Sequence, residues 1–558
     1  MSNSATKKKN IPHPAKPKNN IESLNRFSKF ENIITNIICL LVFIAFGYIA
    51  VVGFFQTSVI DPANYGSEVI LYQADNVALN IFFTAIFGVF VFAMKKKYDF
   101  FAKVNMKITE VLMVAFVLIC GFIWIFSVTS VPAADSYNIF ESATQAAHGN
   151  YSSFTNGSTF YNSDYYNGYS YFNFYPFQLG FVFICEIIYR IFGTSTAMPV
   201  QVINVLCVAA AYLAVAKITK LVFKRRAIEF IAILLLAGCF QPIFFCTFSY
   251  GNIIGMCCAL WATYFLIRYF QSEKYLLLIP CALLLILSTL AKYNNLIYLV
   301  AFVIVLIVHT VKRKKWQSIA FALALCIAVI GSSNLVILSY EKRAGVDYPN
   351  GISQIMYLEM GLNESYMAPG WYNGIALENY KNNNLDNSLA NEQASRGVSE
   401  RLSYMASNPE YGADFFNKKL LSQWNEPTFE SIWVSEVKSH YYDLNGIGNS
   451  MYNGSLGQFF ELYFGFYMQI LYILFAVGMF CLITKRKVNI QTAILPLVLL
   501  GGLGYHLLFE GKSQYILTYI ILMIPTAAYA MNYLFESDFT ELKNFINKLK
   551  TIPVKNKE

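Results

Sequence analysis

Runs of about 18 or more apolar residues recur along this chain, and no other feature restricts its fold as much. A helix needs about 20 such residues to cross the hydrocarbon of a bilayer. Backbone inside that hydrocarbon must also satisfy its own N–H and C=O groups, which leaves helices as the reading for unbroken runs. The fold class expected is therefore an all-α polytopic membrane protein. Twelve spans are read, near 33–55, 76–94, 108–128, 197–216, 227–246, 252–270, 275–291, 295–311, 317–340, 460–484, 490–509 and 516–535. Composition agrees: the 558 residues are 56% hydrophobic and 13% charged, against about 25% charged in soluble domains.

Charge then gives an orientation. Most of the 42 Lys and Arg residues fall in the N-terminal tail, the C-terminal tail and alternate short loops, including Lys95–Lys107, Lys217–Arg226, Lys312–Lys315 and Lys485–Lys487. Positive residues collect in cytoplasmic loops, so both termini are expected in the cytoplasm. The net charge of +9 reads as topology, with no nucleic-acid partner implied. The first 30 residues are polar and lysine-rich, without the apolar core of a cleavable signal. All eleven cysteines sit in apolar segments, where they act as small buried residues and no disulfide is needed.

One helix stands apart. "YPFQLGFVFICEIIYRIFG", 175–193, has an apolar core of only about 16 residues, and Glu186 and Arg190 are spaced to pair along it. If it crossed, every later basic cluster would change sides. It is expected to lie at the outer surface as an interfacial or re-entrant helix. The domains follow: 1–32, a basic cytoplasmic tail; 33–340, nine spans with a long outer loop at 129–196; 341–459, a mostly helical outer region with helices near 387–407 and 409–424; 460–535, three further spans; and 536–558, a cytoplasmic amphipathic tail, helical over 537–550.

The spans carry no Asp, Glu, Lys or Arg at their middles, whereas ion-driven transporters place such groups at the midplane. Chemistry is therefore expected at the outer surface. There "SVPAADSYNIFESATQAAHGNY", 130–151, opens with Asp135 at the head of a helix. An aspartate suits an N-cap there, and equally a general base that takes a proton from an acceptor hydroxyl. Lys292, Lys512 and Arg190 lie on the same face, against the loop bias. Each alone could snorkel; together they could hold a phosphate near the headgroup plane. The Phe- and Tyr-rich stretch 151–177 reads either as an aromatic belt or as a saccharide platform. Candidates for sugar or acceptor contact are Tyr137, Tyr175, Tyr250, Asn252, Trp371, Glu510 and Tyr515.

These stretches together resemble the GT-C superfamily of integral membrane glycosyltransferases, in particular bacterial relatives of protein O-mannosyltransferases and lipid A aminoarabinose transferases. "ADSYNIFESATQAAHGNY" is similar to the signature of the first outer loop, and "FYPFQLGFVFICEIIYRIFG" to the loop helix after it. "LAKYNN" and "EGKSQYILTYIILMIP" resemble later turns. A single acid, Asp135-Ser136, stands where the family often has two, which argues against a metal; no cofactor is expected. Ser513-Gln514 replaces a common arginine and leaves Lys512 to supply charge. The resemblance implies a polyprenyl-phosphate-linked sugar as donor, an envelope glycopolymer, glycolipid or protein as acceptor, and inverting transfer at the extracytoplasmic face of the cell membrane. The alternative class is a lipid-linked saccharide flippase or polysaccharide exporter, which would need a charged path through the bundle.

Overall fold

The computed structural model describes residues 18–95, 98–157, 163–193, 196–437 and 444–536. The amphipathic helix expected at 537–550, and most of the N-terminal tail, lie outside them. Among the described residues nine helices are long and apolar enough to cross a membrane. Two bent pairs, Arg226–Gly238 with Gln241–Thr247 and Ser513–Ile520 with Ile524–Glu536, raise the number to eleven if each is one span. The bends are 46° and 53°, and each second segment carries a proline at its start, Pro242 or Pro525, where a missing N–H costs least. The twelfth apolar stretch, Tyr275–Ala291, is a shorter helix. The protein is a multi-pass, all-α membrane protein with one small exception.

That exception was not visible as a helix-period pattern. Between the first two spans the chain forms an antiparallel hairpin, Gln56–Ile60 with Ile70–Ala74, in register Gln56 to Ala74 and Ile60 to Ile70. Its connecting turn carries Glu68, which matters below.

Burial ranks the helices. In Asn252–Ser272, 78% of the apolar window is buried by protein; in Val77–Lys95 it is 6%. The first is the centre of the bundle, packed on Met198–Phe223 and on Leu278–Ala291. The second presents Leu79, Ile81, Phe82, Ile86, Phe90 and Phe92 outward, where lipid removes the cost of exposing them. At the end of the bundle that bears the basic loops, carboxylates at helix ends are paired: Glu110 with Lys217 at 2.6 Å, Glu31 with Lys312 at 2.6 Å and Glu229 with Lys220 at 3.8 Å. The helix-end carboxylates on this side of the bundle are thus matched by lysines.

The opposite end is built from the two long loops. The helices Asp135–Ala147 and Leu179–Phe192 pack together; the latter has 14 residues, about 21 Å of rise and too short to span. Glu186 does pair with Arg190 at 2.8 Å, and Arg343 joins it at 2.9 Å from the end of the helix Trp316–Ala344. This ties the loop helix to the frame. The helices Asn387–Ser407 and Pro409–Trp424 occupy the places read from sequence. The aromatic stretch is neither belt nor platform for the most part. Phe154, Tyr166, Tyr171, Phe172 and Phe174 are buried, and Phe154 stacks between Phe172 and Tyr340 with centroids 5.2 and 5.0 Å away. These rings are the core of the outer region.

Candidate functional site

The first outer loop enters its helix through a distorted backbone. Ala134 precedes Asp135 with φ +46° and ψ −129°, a conformation that costs a residue with a Cβ about 1–3 kcal/mol. Ser136 pins the entry, its hydroxyl accepting from Ala133 N at 2.8 Å and donating to Ala133 O at 2.7 Å. Asp135 is the first helical residue and its carboxylate caps nothing. Instead Oδ2 accepts the Tyr250 hydroxyl at 2.8 Å, and that hydroxyl in turn accepts from Gln178 Nε2 at 2.6 Å. The buried Tyr171 hydroxyl also acts on this carboxylate.

Lys292 arrives from the other direction. The helix Leu278–Ala291 ends there, with Lys292 extended at φ −146°. Two glycines let the turn sit against the central helix. Gly251, at φ +80°, lies so close to Ala291 O that a Cβ would collide with it; at Gly255 a Cβ would lie 2.5 Å from Asn295 Nδ2. Ser288 Oγ donates to Gly255 O at 2.8 Å and locks the approach. The ammonium of Lys292 then rests 4.0 Å from the centroid of Tyr250 and 5.4 Å from that of Tyr515, a placement worth about 0.5–2 kcal/mol. The Tyr515 hydroxyl donates to Glu510 Oε1 at 3.1 Å.

Asp135, Tyr175, Tyr250, Lys292, Glu510 and Tyr515 therefore line one cavity of about 570 Å³, with Tyr357, Tyr372 and Tyr505 from the second long loop and the later helices. Burial dominates its electrostatics. It raises the Asp135 carboxyl above its usual range, against the opposing pull of Tyr250 and Lys292. Burial likewise raises Glu510 and lowers Lys292 to about 8, although the Asp135 and Glu510 carboxylates favour its charged form. An acid and a base thus sit in one enclosure with their proton affinities moved toward each other, a mark of functional sites. Among the described residues, no group of three His, Cys, Asp or Glu side chains is placed to hold a metal ion.

The other residues singled out from sequence lie elsewhere. Lys512 does not line the cavity; it is ion-paired with Glu68 from the hairpin and lies 3.8 Å from Glu430. Burial alone would lower it, but these two carboxylates hold its pKa above the ordinary lysine value. Arg190 serves Glu186 and the Ala146 carbonyl. Trp371 is fully buried, its indole donating to Ser422 at 2.9 Å. Asn252 is buried at the start of the central helix and does not line the cavity. Tyr137, two residues and about half a turn beyond Asp135, does not line it either. Residues that sequence reasoning missed are Gln178, Tyr357, Glu68 and Glu430. Gln178 stands in the quoted loop helix and had a polar signal; the two glutamates had none, since their partner is distant in the chain.

Residues 178–337 match the family model described as dolichyl-phosphate-mannose-protein mannosyltransferase. Among solved structures the chain is similar to the archaeal oligosaccharyltransferase AglB from Archaeoglobus fulgidus, in complex with an inhibitory peptide and a dolichol-phosphate. The identity is 14% and the TM-score 0.39, over 82% of this chain and 53% of that one. The chain thus spans about half the length of that protein. No curated protein matches it in sequence.

Proposed function

We propose that this chain is a membrane glycosyltransferase of the GT-C superfamily, and that its 570 Å³ cavity moves a sugar from a polyprenyl-phosphate donor to an acceptor hydroxyl; the family match over residues 178–337 supports the reading. One observation carries the reading: Tyr250 binds Asp135 through its hydroxyl and Lys292 over its ring face, so a base and a cation are held against one side chain. The donor's sugar and phosphate would lie between them.

In the proposed step the acceptor hydroxyl approaches Asp135 Oδ1 and gives up its proton there as its oxygen attacks the anomeric carbon. The bond from that carbon to the phosphate oxygen breaks on the opposite face, so configuration inverts. The lipid phosphate leaves with the electron pair, and Lys292 stabilises the charge that grows on it. A phosphate leaves as an anion without being protonated, so one carboxylate is enough. The raised proton affinity of Asp135 suits it to this role, because a base must hold the proton it takes. Tyr175, Tyr357 and Tyr372 offer ring faces and hydroxyls to the sugar. No cofactor enters the proposed reaction. The basic loops at the far end of the bundle support placing this cavity at the extracytoplasmic face, with both termini in the cytoplasm; an envelope glycopolymer, glycolipid or protein would be the acceptor.

The test is Asp135→Asn in proteoliposomes with a radiolabelled lipid-linked sugar. Transfer is expected to fall by about 10²–10⁴ at matched protein levels and unchanged melting temperature. Near-wild-type turnover by the asparagine variant rejects the base assignment.

A further inference from the structure

A second cavity, of about 610 Å³, lies apart from the first and shares none of its lining residues. Its walls come from the hairpin, the segment 426–436 and the outer turns of two membrane helices, Val77–Lys95 and Ser455–Thr484. Leu79, Leu462 and Phe466 give it apolar walls beside Asn80 and Gln469, and Phe466 packs on Phe83 with centroids 3.9 Å apart. The rest of the lining is polar, with Asp75, Glu426, Glu436 and Glu461 among amides such as Gln73 and Gln458. Among the described residues no Lys or Arg lines it.

The inner carboxylates already have neutral partners. Asp75 Oδ2 accepts from Thr57 Oγ1 at 3.0 Å and Asn80 Nδ2 at 3.1 Å; Glu426 Oε1 accepts from Thr428 Oγ1 at 2.6 Å; Glu436 Oε2 accepts from Tyr65 at 2.5 Å. Carboxylates matched to hydroxyls and amides keep lone pairs free for further hydroxyl donors, and they repel anions. Trp433 and Tyr452 add ring faces beside them. Burial raises the Glu436 carboxyl to about 7, so near neutrality it can donate as well as accept. A cavity that joins acceptors for hydroxyls to apolar side chains, beside the lipid-facing helix Val77–Lys95, matches an amphiphile that lies in the bilayer.

We propose that this cavity binds a glycolipid with an uncharged, hydroxyl-rich headgroup, at a site distinct from the one that holds the phosphate donor. The inference does not depend on the reaction assigned to the first cavity. Gly465 provides the handle. It lines the wall, and a Cβ there meets nothing within 4 Å, so a side chain added at this position starts into open space. Leucine also favours the helix over glycine by about 0.8–1 kcal/mol.

The probe is a diazirine-tagged monoglucosyl diacylglycerol in phosphatidylcholine nanodiscs holding the full chain. Cross-links are expected on the peptides around 73–80 and 453–466. Gly465→Leu should cut them by about tenfold without lowering the melting temperature, while Gly465→Ala and Lys292→Ala keep them. Untagged glucosyl diacylglycerol should compete; phosphatidylglycerol and stearylamine should not. Labelling unchanged in Gly465→Leu, or displaced equally by the anionic or the cationic lipid, overturns the proposal.

Discussion

Two turns of this protein look alike in sequence and differ in what their lysine can do. "LAKYNN" and "EGKSQY" each place a lysine between apolar helices at the loop-rich end of the bundle. Lys292 faces a cavity, lies over two tyrosine rings and joins no ion pair among the described residues. Lys512 is held by Glu68 and Glu430, with 12% of its side chain exposed. A cation already matched by two carboxylates has little left to offer a phosphate; an unmatched one over aromatic rings keeps its charge for a ligand. The lesson is that position at the membrane surface does not make a binding lysine. Its countercharges decide.

The sharpest way to break this contrast is Lys512→Ala. It would leave Glu430, which is fully buried, without its cation, and losing one partner of a buried pair costs about 3–5 kcal/mol. A clearly lowered melting temperature in detergent is expected. Unchanged stability with a raised donor KM would instead make Lys512 a phosphate ligand and erase the difference between the turns.

Lys292→Ala should behave in the opposite manner. Donor KM is expected to rise by about 10–100-fold with thermal stability near wild type, since the side chain makes no ion pair to lose. A fall in kcat alone, with donor affinity untouched, would argue that Lys292 acts elsewhere in the reaction.

The pH profile refines the same point with a smaller effect. Burial lowers Lys292 to about 8, so kcat/KM for the donor should drop above that pH, by about tenfold per unit at the limit, as the ammonium is lost. On the acid side the rate should rise with pH as Asp135 ionises. Burial raises that carboxyl, so the acid limb should sit above the range of an ordinary aspartate and move down in Lys292→Ala only if burial is relieved. A profile flat through pH 8 in the wild type, or one unaltered in its alkaline limb by Lys292→Ala, removes the lysine from donor binding.

Much of the frame was legible because hydrophobic runs and basic loops report directly on the bilayer. All twelve apolar stretches are helical, and the loop helix 175–193 was read as too short to cross for the reason the structure shows. The hairpin was not legible: "QTSVI" and "ILYQA" are short, and they lie in what looked like a connector between spans. The candidate site was partly legible. Asp135, Lys292 and Glu510 carried a charge where the environment discourages one, and they do meet. Lys512 carried the same signal, but nothing local reveals that Glu68 and Glu430 answer it; Arg190 was answered within its own helix, by Glu186 four residues earlier. The aromatic stretch misled for a related cause, because the same rings that suit a sugar also fill a core, and composition cannot tell which side they face.

The closeness of Gly251 and Gly255 to the turn before Lys292 has an evolutionary corollary. The lysine's address is set by missing atoms on a neighbouring helix: a side chain at Gly251 would push on the Ala291 backbone and displace the turn, and one at Gly255 would push on Asn295. Divergence toward a different sugar is then channelled into the tyrosines of the opposite wall, which can change shape without moving the anchor. Relatives with altered donors should keep both glycines and vary at positions such as Tyr357 and Tyr372.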